Sequence, residues 1–302
     1  MPKNIIALDL GATKTAIGVV SERGQVINLK TIPTPSHQGR AYFIKKLVEL
    51  IKPLFDKNTK AIALGVAGQV NLKKQTVNLY PNFPAGFQNF NLAKALEDKF
   101  KLPVFIDNDV HCFVLGESIY GLGQKYQNIV GLTLGTGIGG GLMINKKLYR
   151  GHNNLVGEFG QMTIDASSPI CCACGQMGHW EALASGTGLI NLYLRLTKNK
   201  KDAYAIEAEA KAGKKEAVQA VRLTAHYLAI GLANLINILG PEIIIIGGGF
   251  ANFKMIWPEM IKAVPGYLLQ PKMQKTKIVK SQLGDKAILL GAALLAKPGF
   301  KN

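Results

Sequence analysis

The chain has 302 residues, of which 48% are hydrophobic and 18% charged, enough to build two domains with separate cores and too apolar for a disordered chain. Lysine and arginine total 36 against 19 aspartates and glutamates, a formal net charge of +17. The lysines are scattered, with no RNA-binding motif and no helix-turn-helix module ahead of Ile5, so the charge is read as a solvated surface rather than a nucleic-acid face. The most apolar stretch, 228–249, is interrupted by Asn234, Asn237, Pro241 and Glu242, which excludes a membrane span.

The opening Met-Pro-Lys-Asn runs straight into a strand and has no signal-peptide layout. Three of the four cysteines fall at 171, 172 and 174, which suits a metal or free-thiol cluster in a reducing cytoplasm better than a disulfide framework.

Strands are predicted at 5–10, 15–20 and 26–32, with small-residue or Gly-containing turns between them. Phe43, Ile44, Leu47, Val48, Ile51 and Leu54 recur at helical spacing and predict a helix over 40–56. A buried strand at 61–66, an irregular loop around Pro81 and Pro84, a helix at 92–100 and a strand at 104–106 follow. That strand runs into Asp107-Asn108-Asp109, acidic groups placed where α/β sheets bind ligands, and a helix is predicted from about 111 to 120.

The next stretch, Ile129 to Ile144, reads as strand, glycine-rich turn over 135–141, then strand. Glycines allow a tight turn whose N–H groups approach a phosphate closely. Gly135, Gly137 and Gly140 also satisfy the dinucleotide pattern G-x-G-x-x-G, but that pattern needs a helix after the glycines, and here a strand follows. Ile5, Leu8, Leu10 and Gly11 recur as Ile129, Leu132, Leu134 and Gly135. A repeated hairpin predicts two similar lobes with phosphate held between their turns. The rest reads as a loop-rich segment to about 180, helices at 181–197, 202–214 and 215–239, a strand at 242–246 opening onto Gly247-Gly248-Gly249, a helix at 253–264, a strand at 276–281 and a last helix at 286–297.

Five motifs occur in one order: Asp9-x-Gly11-x-Thr13-Lys14, Asp107-Asn108-Asp109, Gly135-Thr136-Gly137-Ile138-Gly139-Gly140-Gly141, Gly157-Glu158-Phe159-Gly160, and Cys172-x-Cys174-Gly175-x-x-Gly178-His179-x-Glu181. With them the chain resembles the ROK sugar kinases (repressor, open reading frame, kinase), from residue 5 to about 297. The resemblance implies an α/β, two-lobed actin/hexokinase-like (ribonuclease H-like) fold. Its expected division is a small N-terminal lobe, 1–118, on which the last helix, 286–302, packs back, and a larger lobe, 119–285.

It further implies ATP-dependent phosphorylation of a hexose, glucose-like or an N-acetylhexosamine, at its 6-hydroxyl, with Asp109 as general base. Asn82, Asn108, Asp109, Glu158, Gln161 and Glu181 match the sugar-binding positions. Asp9, Gly11, Thr13, Lys14, Gly135, Thr136 and Gly137 match the ATP phosphate and Mg²⁺ positions, and Gly247, Gly248 and Gly249 border the nucleoside. The chemistry agrees, since phosphoryl transfer needs positioning and charge neutralisation, and a sugar needs fixed acceptors and donors. A dimer or larger homo-oligomer is also implied.

The departures are specific. Ala12 stands at a position the family usually fills with glycine, and His111 at one where asparagine is frequent. The family's structural zinc takes a histidine after Gly-Glu-Phe-Gly and three cysteines; here those positions hold Gln161, Cys172, Cys174 and His179. Cys172, Cys174 and His179 remain a candidate zinc set with no fourth ligand in the pattern, Cys171 being too close to Cys172 to chelate with it. The rival readings are a sugar-sensing regulator, for which no DNA-binding module is expected before Ile5, and a non-catalytic sugar-binding protein, against which Asp109 stands.

Overall fold

A computed structural model describes residues 4–35, 38–78, 86–270 and 275–297. Two compact units emerge: unit 1 comprises 1–125, 141–157 and 282–302, and unit 2 comprises 126–140 and 158–281. This differs from the expected division at 118/119 chiefly in grouping 141–157 with the first unit.

Unit 1 is built on β1 (Asn4–Leu10), β2 (Lys14–Val20), β3 (Val26–Pro33), β4 (Thr59–Val66) and β7 (Val104–Asn108), in the order β3-β2-β1-β4-β7. β1 pairs antiparallel with β2 and parallel with β4, and β7 joins parallel to β4. Strands covered on both faces read as continuous apolar runs, and Ile6, Ala7 and Leu8 are all fully buried. On one face lies α1 (Gly39–Ile51), whose Phe43, Leu47 and Ile51 recur every four residues and are all buried. A small hairpin, β5 (Gln69–Asn71) and β6 (Thr76–Asn78), precedes α2 (Leu92–Phe100), which Asn91 caps by accepting from Lys94 N.

α3 (Asp109–Tyr120) starts two residues earlier than its sequence predicts, and Asn108 is its cap. It is buried nearly all round because α9 (Lys286–Leu294) lies directly against it. A Cβ on Gly291 would sit 1.7 Å from Cys112 O, so only glycine permits that approach.

The second sheet has the order β10-β9-β8-β11-β12, formed by β8 (Ile129–Leu134), β9 (Ile138–Ile144), β10 (Lys147–Leu148), β11 (Ile243–Gly247) and β12 (Lys277–Lys280). Position for position this repeats the first sheet, a three-strand meander followed by two parallel strands. The glycine turn is shorter than 135–141 because Gly139, Gly140 and Gly141 belong to β9. Unit 2 adds α4 (Trp180–Ala184), α5 (Gly186–Thr197), α6 (Ala203–Lys211), α7 (Lys215–Leu239) and α8 (Ile256–Ala263). The predicted helix 181–197 is thus two helices, broken at Ser185, which turns extended and caps α5 by accepting from Gly188 N. No described helix is long and apolar enough to cross a membrane.

Candidate active site

In unit 1 the functional candidates gather at the end of β7. Asn108 Oδ1 accepts from Val110 N (2.9 Å) and His111 N (3.1 Å), satisfying two of the donors a helix start leaves open. Its Nδ2 donates to Gly68 O at 3.1 Å. The Asp109 carboxylate therefore stands in the first turn of α3, at the positive end of the helix, with Oδ1 2.9 Å from Val110 N.

Asp9, at the end of β1, is held well above the usual carboxylate range by burial first, then by the charges of Asp109 and Asp285. A carboxyl raised by neighbouring carboxylates is neutralised by a proton or by a cation. Gly11, Thr13 and Lys14 form the turn just beyond it, closed by Gly11 N donating to Lys14 O at 3.0 Å, with the Thr13 and Lys14 side chains exposed.

Asp107 is committed elsewhere. Its Oδ2 accepts from Arg150 Nε (3.0 Å) and Nη2 (2.7 Å), a two-pronged pairing. Its Oδ1 accepts from Asn108 N (2.8 Å), Asn154 Nδ2 (3.0 Å) and His111 Nδ1 (3.2 Å). Burial raises this carboxyl, but the hydrogen bond from His111 and the charges of His111 and Arg150 outweigh it and bring it down to about 2.

His111 Nε2 faces Val156 O at 2.8 Å. Both ring nitrogens thus meet acceptors, so both carry protons and the buried ring is an imidazolium. Burial opposes that charge; the hydrogen bond and charge of Asp107 hold the imidazole above its ordinary value nonetheless.

In unit 2, Gly135 N donates to Gly137 O (3.0 Å), and Gly135 O accepts from Gly186 N (2.9 Å) at the start of α5. Glu181 fixes the far side of the turn: its Oε2 accepts from Ile138 N at 2.9 Å, and a Cβ on Gly137 would meet that oxygen at 2.0 Å. Parallel pairing of β11 with β8 sets Gly247 opposite Thr133, which brings Gly247-Gly248-Gly249 beside Gly135-Thr136-Gly137. Glu158 is exposed and precedes the short turn Phe159–Gln161.

Cys172 Sγ, Cys174 Sγ and one ring nitrogen of His179 lie within 4.8 Å of one another. Gln161 Oε1 is 2.9 Å from His179 Nδ1 and 3.6 Å from Cys172 Sγ, so the glutamine sets an oxygen against two of the three candidate ligands. Two thiols, an imidazole and a carbonyl oxygen are a donor set that fits zinc. Cys171 is outside the group; its exposed thiol donates to Cys172 O.

The model of the family described as "ROK family" matches residues 5–298. The chain belongs to the ROK family. It is 32% identical to the glucokinase of Thermotoga maritima over 98% of both chains. It is 33% identical to the N-acetyl-D-glucosamine kinase of Yersinia enterocolitica over 95% of this chain and 97% of that one. A crystal structure of a ROK family glucokinase from Streptomyces griseus, in complex with glucose and AMPPNP, superposes with a TM-score of 0.84 at 29% identity over 97% and 98% of the chains.

As a ROK protein the chain brings Asp9, Gly11, Asn108 and Asp109 together in unit 1, and the two glycine turns, Glu181, Gln161 and the thiols together in unit 2. Asn82 lies outside the described residues. Sequence reasoning missed Arg150 and Asn154, which precede the Gly157-Glu158 motif without a spacing rule to mark them. It also missed Gln161 as a member of the thiol cluster. The signal was available: a polar residue at a ligand position keeps an oxygen donor there.

Proposed function

We propose that this ROK protein is an ATP-dependent kinase that phosphorylates the 6-hydroxyl of a glucose-like hexose or an N-acetylhexosamine, with Asp109 as general base. The observation that carries the reading is the contrast between two carboxylates one residue apart. Asp107 is consumed by four side-chain and backbone partners and held near 2, whereas Asp109 stands in the first turn of the helix, close enough to Asp9 to raise it. A base needs a carboxylate that a substrate hydroxyl can reach, and Asp107 is not one.

The sugar hydroxyl gives its proton to an Asp109 oxygen as its own oxygen bonds to the γ-phosphorus; the bond to the β-phosphate bridging oxygen breaks and ADP leaves. Asp9 would hold magnesium, which when bound neutralises phosphate charge. The turn at Gly11 to Lys14 and that at Gly135 to Gly137 supply N–H groups and one cation to phosphate oxygens, and Gly247 to Gly249 borders the nucleoside. Asn82, Asn108, Glu158 and Glu181 are assigned to the sugar. Cys172, Cys174, His179 and Gln161 would hold a structural zinc, which when bound stabilises the loop that leads into α4 and Glu181.

An ADP-release assay across glucose, mannose, N-acetylglucosamine and N-acetylmannosamine tests the reading. Sugar-dependent ADP release by the wild type supports it, and none with any hexose overturns it.

A further inference from the structure

Among the described residues only two buried side-chain polar atoms lack a hydrogen-bond partner, Glu207 Oε1 and Asn154 Oδ1. Glu207 uses its other oxygen on Lys211 at the surface of α6. Asn154 has no such explanation. Its Nδ2 donates to Asp107 Oδ1 (3.0 Å) and to Val70 O (3.3 Å). Both partners are acceptors only, so the amide orientation is dictated by chemistry and the oxygen must point the other way. There it is buried without a donor, a state that costs about 1–3 kcal/mol when nothing fills it.

The position adjoins the proposed active site. Asn108 Nδ2 donates to Gly68 O, so the two asparagines anchor on one short segment, 68–70, and both bond Asp107, Asn108 through its backbone N–H. The amide is rigidly held, because Asp107 is itself fixed by Arg150 and His111. Asn154 also has φ +64°, a left-handed conformation that only glycine, asparagine and aspartate adopt readily. A strained backbone, a fixed amide and an unmet buried acceptor are what a preorganised ligand contact requires.

We propose that Asn154 is a sugar-recognition residue, its Oδ1 accepting a hydrogen bond from a sugar hydroxyl other than the one that is phosphorylated. The inference rests on the kinase reading. The transferring hydroxyl is excluded because its proton goes to Asp109. The ligand is a donor, an O–H of the pyranose ring, and not an anion, because an amide oxygen beside a carboxylate repels negative charge.

The test is Asn154→Gly, which keeps the left-handed backbone and removes the amide. It is compared with wild type on glucose and on its 2-, 3- and 4-deoxy and 1,5-anhydro forms, by steady-state kinetics and by sugar-induced shift in melting temperature. The expected result is a rise in KM for glucose of about tenfold with kcat changed less, the worth of one hydrogen bond in a desolvated site. The variant should also lose the wild type's penalty for one deoxy sugar while keeping the others. If Asn154→Gly does not fold, Asn154→Ser, whose shorter hydroxyl can still donate toward Asp107 but does not extend the outward oxygen of the amide, is measured in the same way, and the same loss of selectivity for one hydroxyl is expected.

A melting temperature that falls while KM and the deoxy-sugar profile stay as in wild type overturns the proposal and makes the acceptor a site for a buried water. Wild type active on glucose with unchanged variants also overturns it and leaves the kinase reading intact. Wild type that neither binds nor phosphorylates any sugar overturns both.

Discussion

The two five-stranded sheets share one order, and each ends its first strand in a turn that opens with glycine, yet the polar groups gathered beyond them differ in kind. In unit 1 they are ions: Asp107 paired with Arg150 and His111, and the carboxylates Asp9 and Asp109. In unit 2 they are glycine backbone, Glu181, Gln161 and two thiols, with the turn stitched to helix α5 by Gly186. Duplicated topology thus fixes where ligand-facing groups can stand, and side-chain chemistry decides what each copy does. On the proposed reading the first copy supplies the base, the magnesium carboxylate and one phosphate turn, and the second supplies the other phosphate turn, the nucleoside border and the sugar contacts of Glu158 and Glu181.

The sharpest test of that division is Asp109→Asn, which preserves shape and removes the base. Turnover is expected to fall by about 10²–10⁴-fold in the ADP-release assay. Sugar affinity should change less, because the amide still hydrogen-bonds a hydroxyl. Near-full turnover would move the base off the first unit, since Asp107 has no capacity left to replace it.

Next in size is the buried ion pair. Arg150→Met strips Asp107 of its two-pronged partner and leaves a buried carboxylate partly uncompensated, which is expected to cost about 3–5 kcal/mol in denaturant unfolding. Loss well under 1 kcal/mol would mean the first unit does not depend on its ions.

The matching test in the second unit is metal. Purified protein is expected to carry about one zinc per chain by mass spectrometry, and a chelator to lower its melting temperature, since structural zinc contributes folding free energy. Gln161→Ala should weaken retention of the metal without abolishing it, because three donors remain. Protein that is metal-free, stable and active would reject the site.

Much of this was legible in the sequence for identifiable reasons. The repeated hairpin appeared because strands buried on both faces leave long apolar runs, and Ile5 to Leu10 and Ile129 to Leu134 are such runs. The glycine turns and the Asp107-Asn108-Asp109 segment showed up because their residue types are dictated by backbone geometry and charge. What stayed hidden is what depends on long-range contact. Arg150 and Asn154 bond a residue more than forty positions away, and nothing local marks them. Asp107 and Asp109 are chemically identical in sequence; only the fold shows that Arg150, His111 and Asn154 gather on the first. The helix break at Ser185 was lost because the flanking apolar periodicity runs through it.

The smallest effect concerns pH, and it also separates the two regions. Asp107 sits near 2 against an ordinary 3.8, so it contributes stability that is fully present above pH 3.8 and is lost as pH falls through about 2. That depression is worth about 2 kcal/mol. His111 is raised above its ordinary 6.5, so its contribution is complete below pH 6.5 and declines as pH rises through its elevated value. The facing groups are Asp107 from β7, Arg150 and the carbonyl of Val156. Together they predict a stability plateau between about pH 4 and 6.5, with an acid limb from Asp107 and an alkaline limb from His111. Replacing His111 with asparagine, the residue frequent at this position in the family, should lower stability on the plateau and flatten the alkaline limb, measured by unfolding at pH 5, 7 and 9. An alkaline limb of undiminished size in His111→Asn would place its origin in another group.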